Sequence, residues 1–265
     1  RKKLGADEHN YHALFWLEYS YLQLGRYADA RRALALMDAD AARSGSGRAK
    51  SHRAMMRAAW VVETRRFDGD VVRSLSEDGE RGVALFAEGL AAAGKGQRER
   101  AEKALAAMGK EPEGGHDHGG GGMYAMGAGA DAVMKRELEA IVASLRGNNE
   151  RALALAKEAA SAEDGMTFEF GPPSVAKPAH ELSGELLLKA GNAAEARAEF
   201  ERSLAHAPKR ALSLLGLARA AAKAGDRAAA AEAYGRLAAV WRNADTDLPE
   251  LAEVRRPPSP PSVSR

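Results

Sequence analysis

Gly184-Glu185-Leu186-Leu187-Leu188-Lys189-Ala190-Gly191-Asn192-Ala193-Ala194-Glu195-Ala196-Arg197-Ala198-Glu199-Phe200 returns 34 residues later as Ala218-Arg219-Ala220-Ala221-Ala222-Lys223-Ala224-Gly225-Asp226-Arg227-Ala228-Ala229-Ala230-Ala231-Glu232-Ala233-Tyr234. At this offset Gly184 maps onto Ala218, Gly191 onto Gly225, Ala196 onto Ala230 and Phe200 onto Tyr234. A small residue recurs where the two helices of a hairpin must touch. A glycine recurs where the chain turns between them, and an aromatic recurs where the second helix meets the next hairpin. The period is that of a two-helix unit that buries its apolar face only by stacking on its neighbours. The expected fold is all-α.

The pattern extends upstream. Tyr11 to Tyr27 reads as a first helix, a turn at Gly25 and the start of a second helix carrying Ala30 and Leu34, with Glu18 at the position of Gly184 and Ala218. A long helix over Ser51–Phe67, with Ala58 at the small position, is followed by a degenerate second helix around Val71–Ser76. Gly82–Met108 carries Gly89, Gly96, Ala101 and Leu105 in register, and Ala132–Ala159 carries Ala140, Gly147, Ala152 and Ala156. Lys177–Pro208 and Ala211–Trp241 complete six hairpins. The turns, at Gly25, Arg65, Gly96, Gly147, Gly191 and Gly225, are 40, 31, 51, 44 and 34 residues apart, so insertions fall between units and are expected on one rim. Pro249 ahead of Glu250-Leu251-Ala252-Glu253-Val254 predicts a short capping helix, and Pro257-Pro258-Ser259-Pro260-Pro261 a non-helical tail.

Lys177 to Leu182, Gly184 to Leu188, Gly191, Phe200-Glu201, Pro208, Ser213 to Gly216 and Asp247 to Leu251 resemble the C-terminal part of a group of bacterial tetratricopeptide repeat proteins. The resemblance is strongest over about Val175–Val254 and weaker at Tyr11–Met37 and Val61-Val62-Glu63-Thr64. It implies a right-handed superhelical solenoid of about six degenerate hairpins with a C-terminal cap, further repeats ahead of Arg1, and no reaction. Glu18 at a small position and Arg65 at a turn depart from the family pattern. The expected organisation is degenerate hairpins over 1–110, a flexible Gly/His-rich loop over 111–130, hairpins and cap over 131–254, and a disordered Pro-rich tail over 255–265.

Composition narrows the function classes. Hydrophobic residues at 45% and charged residues at 29% suit a foldable chain, and the abundance of alanine over strand formers favours helix. The net charge is +2, of which residues 255–265 contribute three arginines and no acid; the remaining −1 gives no electrostatic reason to expect nucleic acid or an anionic membrane as partner. No apolar run approaches the roughly 20 residues that span a bilayer. The absence of cysteine excludes thiolate ligands and cysteine nucleophiles, and leaves both cytoplasm and periplasm open.

In such solenoids the first helix of each hairpin lines the concave face. Alignment on the turns places His12, Phe15 and Tyr19 there in the first unit, His52 and Met55 in the second, Val83 and Phe86 in the third, and Met134 and Ile141 in the fourth. His12, Phe15, Tyr19, His52, Met55 and Phe86 are therefore the candidate contacts for a protein or peptide partner, an amphipathic helix or an extended segment with apolar anchors. The alternative is that these side chains simply fill a tightly wound interior.

Metal binding is the second functional reading. His9 and His12, three apart at a helix start, share a side with the equivalent His52. His116-Asp117-His118, in a stretch where eight of the sixteen residues from Gly114 to Gly129 are glycine, has the donors for Cu(II), Ni(II) or Zn(II) on a backbone expected to form no regular helix. Ser161–Lys177, with Phe168, Phe170 and Pro172-Pro173, reads either as a loop across the groove mouth or as an inter-repeat loop packed on its neighbour. No nucleophile elbow, phosphate-binding glycine loop or HExxH helix is present, so no enzymatic activity is expected.

Overall fold

The computed structural model describes residues 9–78, 81–108, 123–167 and 171–255. His116, His118, Phe168, Phe170 and the Pro-rich stretch from 256 lie outside the described residues. The described residues contain thirteen α-helices, one 3-10 segment and no strand. They are α1 (Tyr11–Gln23), α2 (Tyr27–Ser44), α3 (Gly47–Thr64), α4 (Asp70–Ser74), the 3-10 segment Leu75–Asp78, α5 (Gly82–Gly94), α6 (Arg98–Ala107), α7 (Met123–Leu145), α8 (Asn149–Asp164), α9 (Ala179–Ala190), α10 (Ala193–His206), α11 (Ala211–Lys223), α12 (Arg227–Val240) and α13 (Leu251–Arg255). Neighbours in sequence pack in pairs.

The turns explain the pairing. All six expected turn residues have a positive φ: Gly25, Arg65, Gly96, Gly147, Gly191 and Gly225. At four of them the next residue donates its N–H to the carbonyl five positions back: Gln97 to Ala92, Asn148 to Ala143, Asn192 to Leu187 and Asp226 to Ala221. This bond ends a helix on a left-handed residue, and the chain restarts at once. Asn148 and Asp226 then cap the following helix, accepting from the Arg151 and Ala229 backbone N–H. Arg65, at φ 51°, is the one non-glycine residue in this conformation among the described residues.

The chain divides into two compact units, Arg1–Leu22 with Ala28–Ala179, and Gln23–Tyr27 with His180–Arg265. In the first unit α3, α5 and α7 pack in succession, and α5–α6 and α7–α8 form hairpins. A Cβ on Gly89 would lie 2.6 Å from Leu138 Cδ2, so this small position is where α5 and α7 meet. Ala92, Ala101 and Val142 form a core cluster joining α5, α6 and α7. The second hairpin has no full second helix. α4 and the 3-10 segment stand in for it, burying Val71 and Leu75, and an ion cluster lies beside them: Asp78 accepts from Arg53 Nε at 2.7 Å and Arg57 Nη1 at 3.0 Å, and Arg57 Nε donates to Asp38 at 3.0 Å.

In the second unit Phe200, fully buried, lies between two glycines, where a Cβ on Gly184 or on Gly216 would collide with its ring. The small–aromatic repeat is thus an interlock of α9, α10 and α11. Beside it, the buried Glu181 is held bidentately by Arg210 at 2.7 and 3.0 Å and accepts from Ser213 Oγ at 2.6 Å. The short turn Gln23–Tyr27 belongs to this unit: Trp241 Nε1 donates to the Gln23 carbonyl at 3.1 Å, and Gly25 leaves no room for a Cβ against Ala244 and Leu248. The capping helix forms as expected. Leu251 and Val254 of α13 are buried, and Glu253 accepts from Arg219 and from Tyr234 Oη at 2.6 Å.

Two expectations are corrected. Helix α7 starts at Met123, inside the stretch 111–130 read as loop, because Met, Tyr and Ala dominate residues 123–130 and two isolated glycines, at about 1 kcal/mol each, do not outweigh them. Helix α8 likewise runs to Asp164, so the insertion read as starting at Ser161 begins after it.

Candidate functional site

The candidate contacts fall on α1, α3 and α5 of the first unit, and they separate by exposure. Phe15 and Tyr19 of α1, Met55 and Ala59 of α3 and Val83 of α5 line one groove. Its other wall is the chain itself: Pro173, Ser174 and Ala176, from a non-helical strap over 171–178 that links α8 to α9. The strap is held at several points, while Gly171 and Ser174 remain exposed to solvent. Gly171, at φ 130°, abuts the Trp16 indole so closely that a Cβ would lie 2.9 Å from Cε2 and Cζ2. Val175 is 2% exposed and Lys177 3% exposed. At the far end Ala179 N–H donates to Glu163 Oε2 at 2.7 Å, which caps the start of α9. The space left in the groove is about 10 Å³, no more than one water needs, so the strap fills it.

Phe86 is corrected. It is completely buried, a core residue of α5 rather than a contact, because α5 packs between α3 and α7 and exposes little of its circumference. His52 is buried as well, with Nδ1 donating to the Arg48 carbonyl at 2.9 Å and Nε2 making no hydrogen bond. Burial lowers its pKa from the ordinary imidazole value, and the neighbouring His12 and Arg48 charges act in the same direction, against the Arg48 carbonyl bond. The exposed His12 meets His52 edge to face, with ring centroids 4.8 Å apart. The third histidine of the expected metal set points elsewhere, since His9 Nδ1 pairs with Asp40. Among the described residues no group of three or more histidines and carboxylates comes together to hold a metal.

Two features were not read from the sequence. Trp16 and Leu17, 48% and 45% exposed, form an apolar shelf with His12 and Ala13 beside the groove. The 3.6-residue period of α1 carries this signal: if Phe15 and Tyr19 face inward, Trp16 stands about a quarter-turn away. The other is Glu18. It is fully buried, neither carboxylate oxygen makes a hydrogen bond, and burial, reinforced by Asp38 and opposed by Arg31, pushes its pKa well above the usual carboxylate range. Its departure from the small-residue pattern was the available signal. No protein-family model, no curated protein and no solved structure matches the chain.

Proposed function

We propose that this chain is a noncatalytic helical scaffold of tetratricopeptide type, six degenerate hairpins wound into a right-handed solenoid, that binds a protein or peptide through the face built by its first helices. The observation that carries the reading is the strap. The apolar groove of Phe15, Tyr19, Met55, Ala59 and Val83 already holds a non-helical, proline-containing segment, contributed by the chain itself. A surface that takes such a segment in cis has the shape and polarity to take one in trans. Tyr19 and Met55 keep partial exposure beside it, as an entry point requires.

The test is selection of peptides from a displayed library on the full chain, followed by binding measurements on Tyr19→Ala and Met55→Glu. Saturable binders that lose at least tenfold in affinity with either variant, while helical circular dichroism is unchanged, support the groove. Binders indifferent to both variants place recognition elsewhere and end this reading.

A further inference from the structure

The strap sequence Pro172-Pro173-Ser174-Val175-Ala176-Lys177 has a near copy in the same chain, Pro260-Pro261-Ser262-Val263-Ser264-Arg265. Four positions are identical, and the last two keep a small residue followed by a base. We infer that the groove of α1, α3 and α5 is a recognition seat for the hexapeptide Pro-Pro-Ser-Val-small-basic, and that residues 260–265 of a second copy enter it in exchange for the strap. The inference rests on the groove reading above and gives it a ligand.

The matching positions are those with structural roles in the strap. Pro173, Ser174 and Ala176 line the groove wall, Ser264 keeps a small residue at the position of Ala176, and Val175, between them in sequence, is 2% exposed. Lys177 is buried, and its counterpart Arg265 keeps the positive charge. Paired prolines restrict φ in the free peptide, which lowers the ordering loss on docking. The strap competes from within the chain, where linkage gives a segment an effective concentration on the order of millimolar, so exchange becomes visible when the strap is weakened.

The experiment uses the full chain and a fluorescent peptide spanning residues 256–265. In Val175→Asp/Val263→Asp, which weakens both occupants, the peptide should bind saturably and at least tenfold more tightly than to the wild type. The peptide carrying Val263→Asp should bind at least tenfold more weakly, a control that cannot unfold the protein. Sedimentation of the single variant Val175→Asp should show concentration-dependent dimers that vanish when Val263→Asp is added. A double variant that keeps its helical dichroism yet binds no peptide of this sequence overturns the inference. A monomeric Val175→Asp chain whose seat is nonetheless blocked overturns the assignment to a second copy. If library peptides lacking Pro-Pro-Ser-Val bind the groove while this peptide does not, only the ligand is wrong; if no peptide binds, the groove reading falls with it.

Discussion

Gly216→Ala and Gly235→Ala make the same chemical change in two adjacent helices of one unit and should shift stability in opposite directions. Both glycines are helical, so alanine gains about 1 kcal/mol of helix propensity at each. Around Gly235, in α12, a Cβ meets nothing within 4 Å, and that gain stands alone. Around Gly216, in α11, a Cβ would sit 2.7 Å from Phe200 Cδ1 and closer still to Cε1 and Cζ. The ring cannot withdraw, because Gly184 bounds it where a Cβ would stand 2.9 Å from Cε1 and Cζ, and Phe200 is fully buried. Overpacking of this kind costs about 1–3 kcal/mol, and a clash bounded on both sides falls at the upper end. Gly216→Ala should therefore lose about 1–2 kcal/mol net while Gly235→Ala gains about 1 kcal/mol. Urea unfolding followed by circular dichroism reads both. In a Phe200→Leu background the penalty at Gly216 should shrink, with a coupling of about 0.5–3 kcal/mol. Gly216→Ala proteins as stable as Gly235→Ala would show that the ring has room, and the interlock argument would fail.

Glu18→Gln should become progressively more stable than wild type as pH rises. The buried carboxyl holds its proton in the folded state above the pH at which the unfolded chain releases it, so its contribution is fully present below the unfolded pKa and lost as pH rises through the folded one. A difference that stays flat between pH 4 and 8 in urea melts refutes this. Asp78→Ala, which strips a buried carboxylate from Arg53 and Arg57, should cost about 3–5 kcal/mol, far more than Asp68→Ala at the exposed pair with Lys95. A cost below about 1 kcal/mol in thermal melts would count the cluster as surface decoration. Arg65→Gly should gain up to about 1 kcal/mol by relieving the left-handed backbone; a loss would mean the arginine side chain outweighs that strain.

The fold was legible because its repeating element is chemically blunt. A left-handed turn selects glycine, and a close helix approach selects glycine or alanine, so Gly25, Gly96, Gly147, Gly191 and Gly225, and Ala58, Gly89, Ala196 and Ala230, could be placed by spacing alone. Even Arg65 took the conformation its register required. The site was half legible. Spacing put Phe15, Tyr19, Met55 and Val83 on a common face, but it carries no information about what covers that face. It placed Phe86 there too, and that position faces the core, because α5 lies between α3 and α7 whereas α1 does not. The ion cluster escaped for a related reason: Arg53, Arg57 and Asp78 belong to residue types that are mostly exposed, and nothing in their spacing marks them as buried together, with the half-buried Asp38 at the edge.

That covering has a quantitative consequence for any partner. The affinity seen in solution is the intrinsic affinity of the groove multiplied by the fraction of molecules whose groove is open. Burial of Val175, the seat of Gly171 against Trp16 and the Ala179 N–H bond to Glu163 just past the strap all favour the closed state and so lower that fraction. Substitutions in the groove and in the strap should therefore act in opposite senses. Removing Tyr19 or Met55 takes contacts from every occupant, whereas weakening Val175 takes them only from the internal competitor and leaves the seat intact for the incoming peptide. Phe86 belongs to neither class, since its loss opens a core cavity costing about 3–5 kcal/mol and acts on folding before it reaches binding. A panel in which Val175→Ser tightens peptide binding, Tyr19→Ala weakens it and Phe86→Ala lowers the melting temperature would separate seat, strap and core. A Val175→Ser chain that binds every selected peptide as weakly as wild type would mean that the strap is a permanent wall, and that any partner docks outside it.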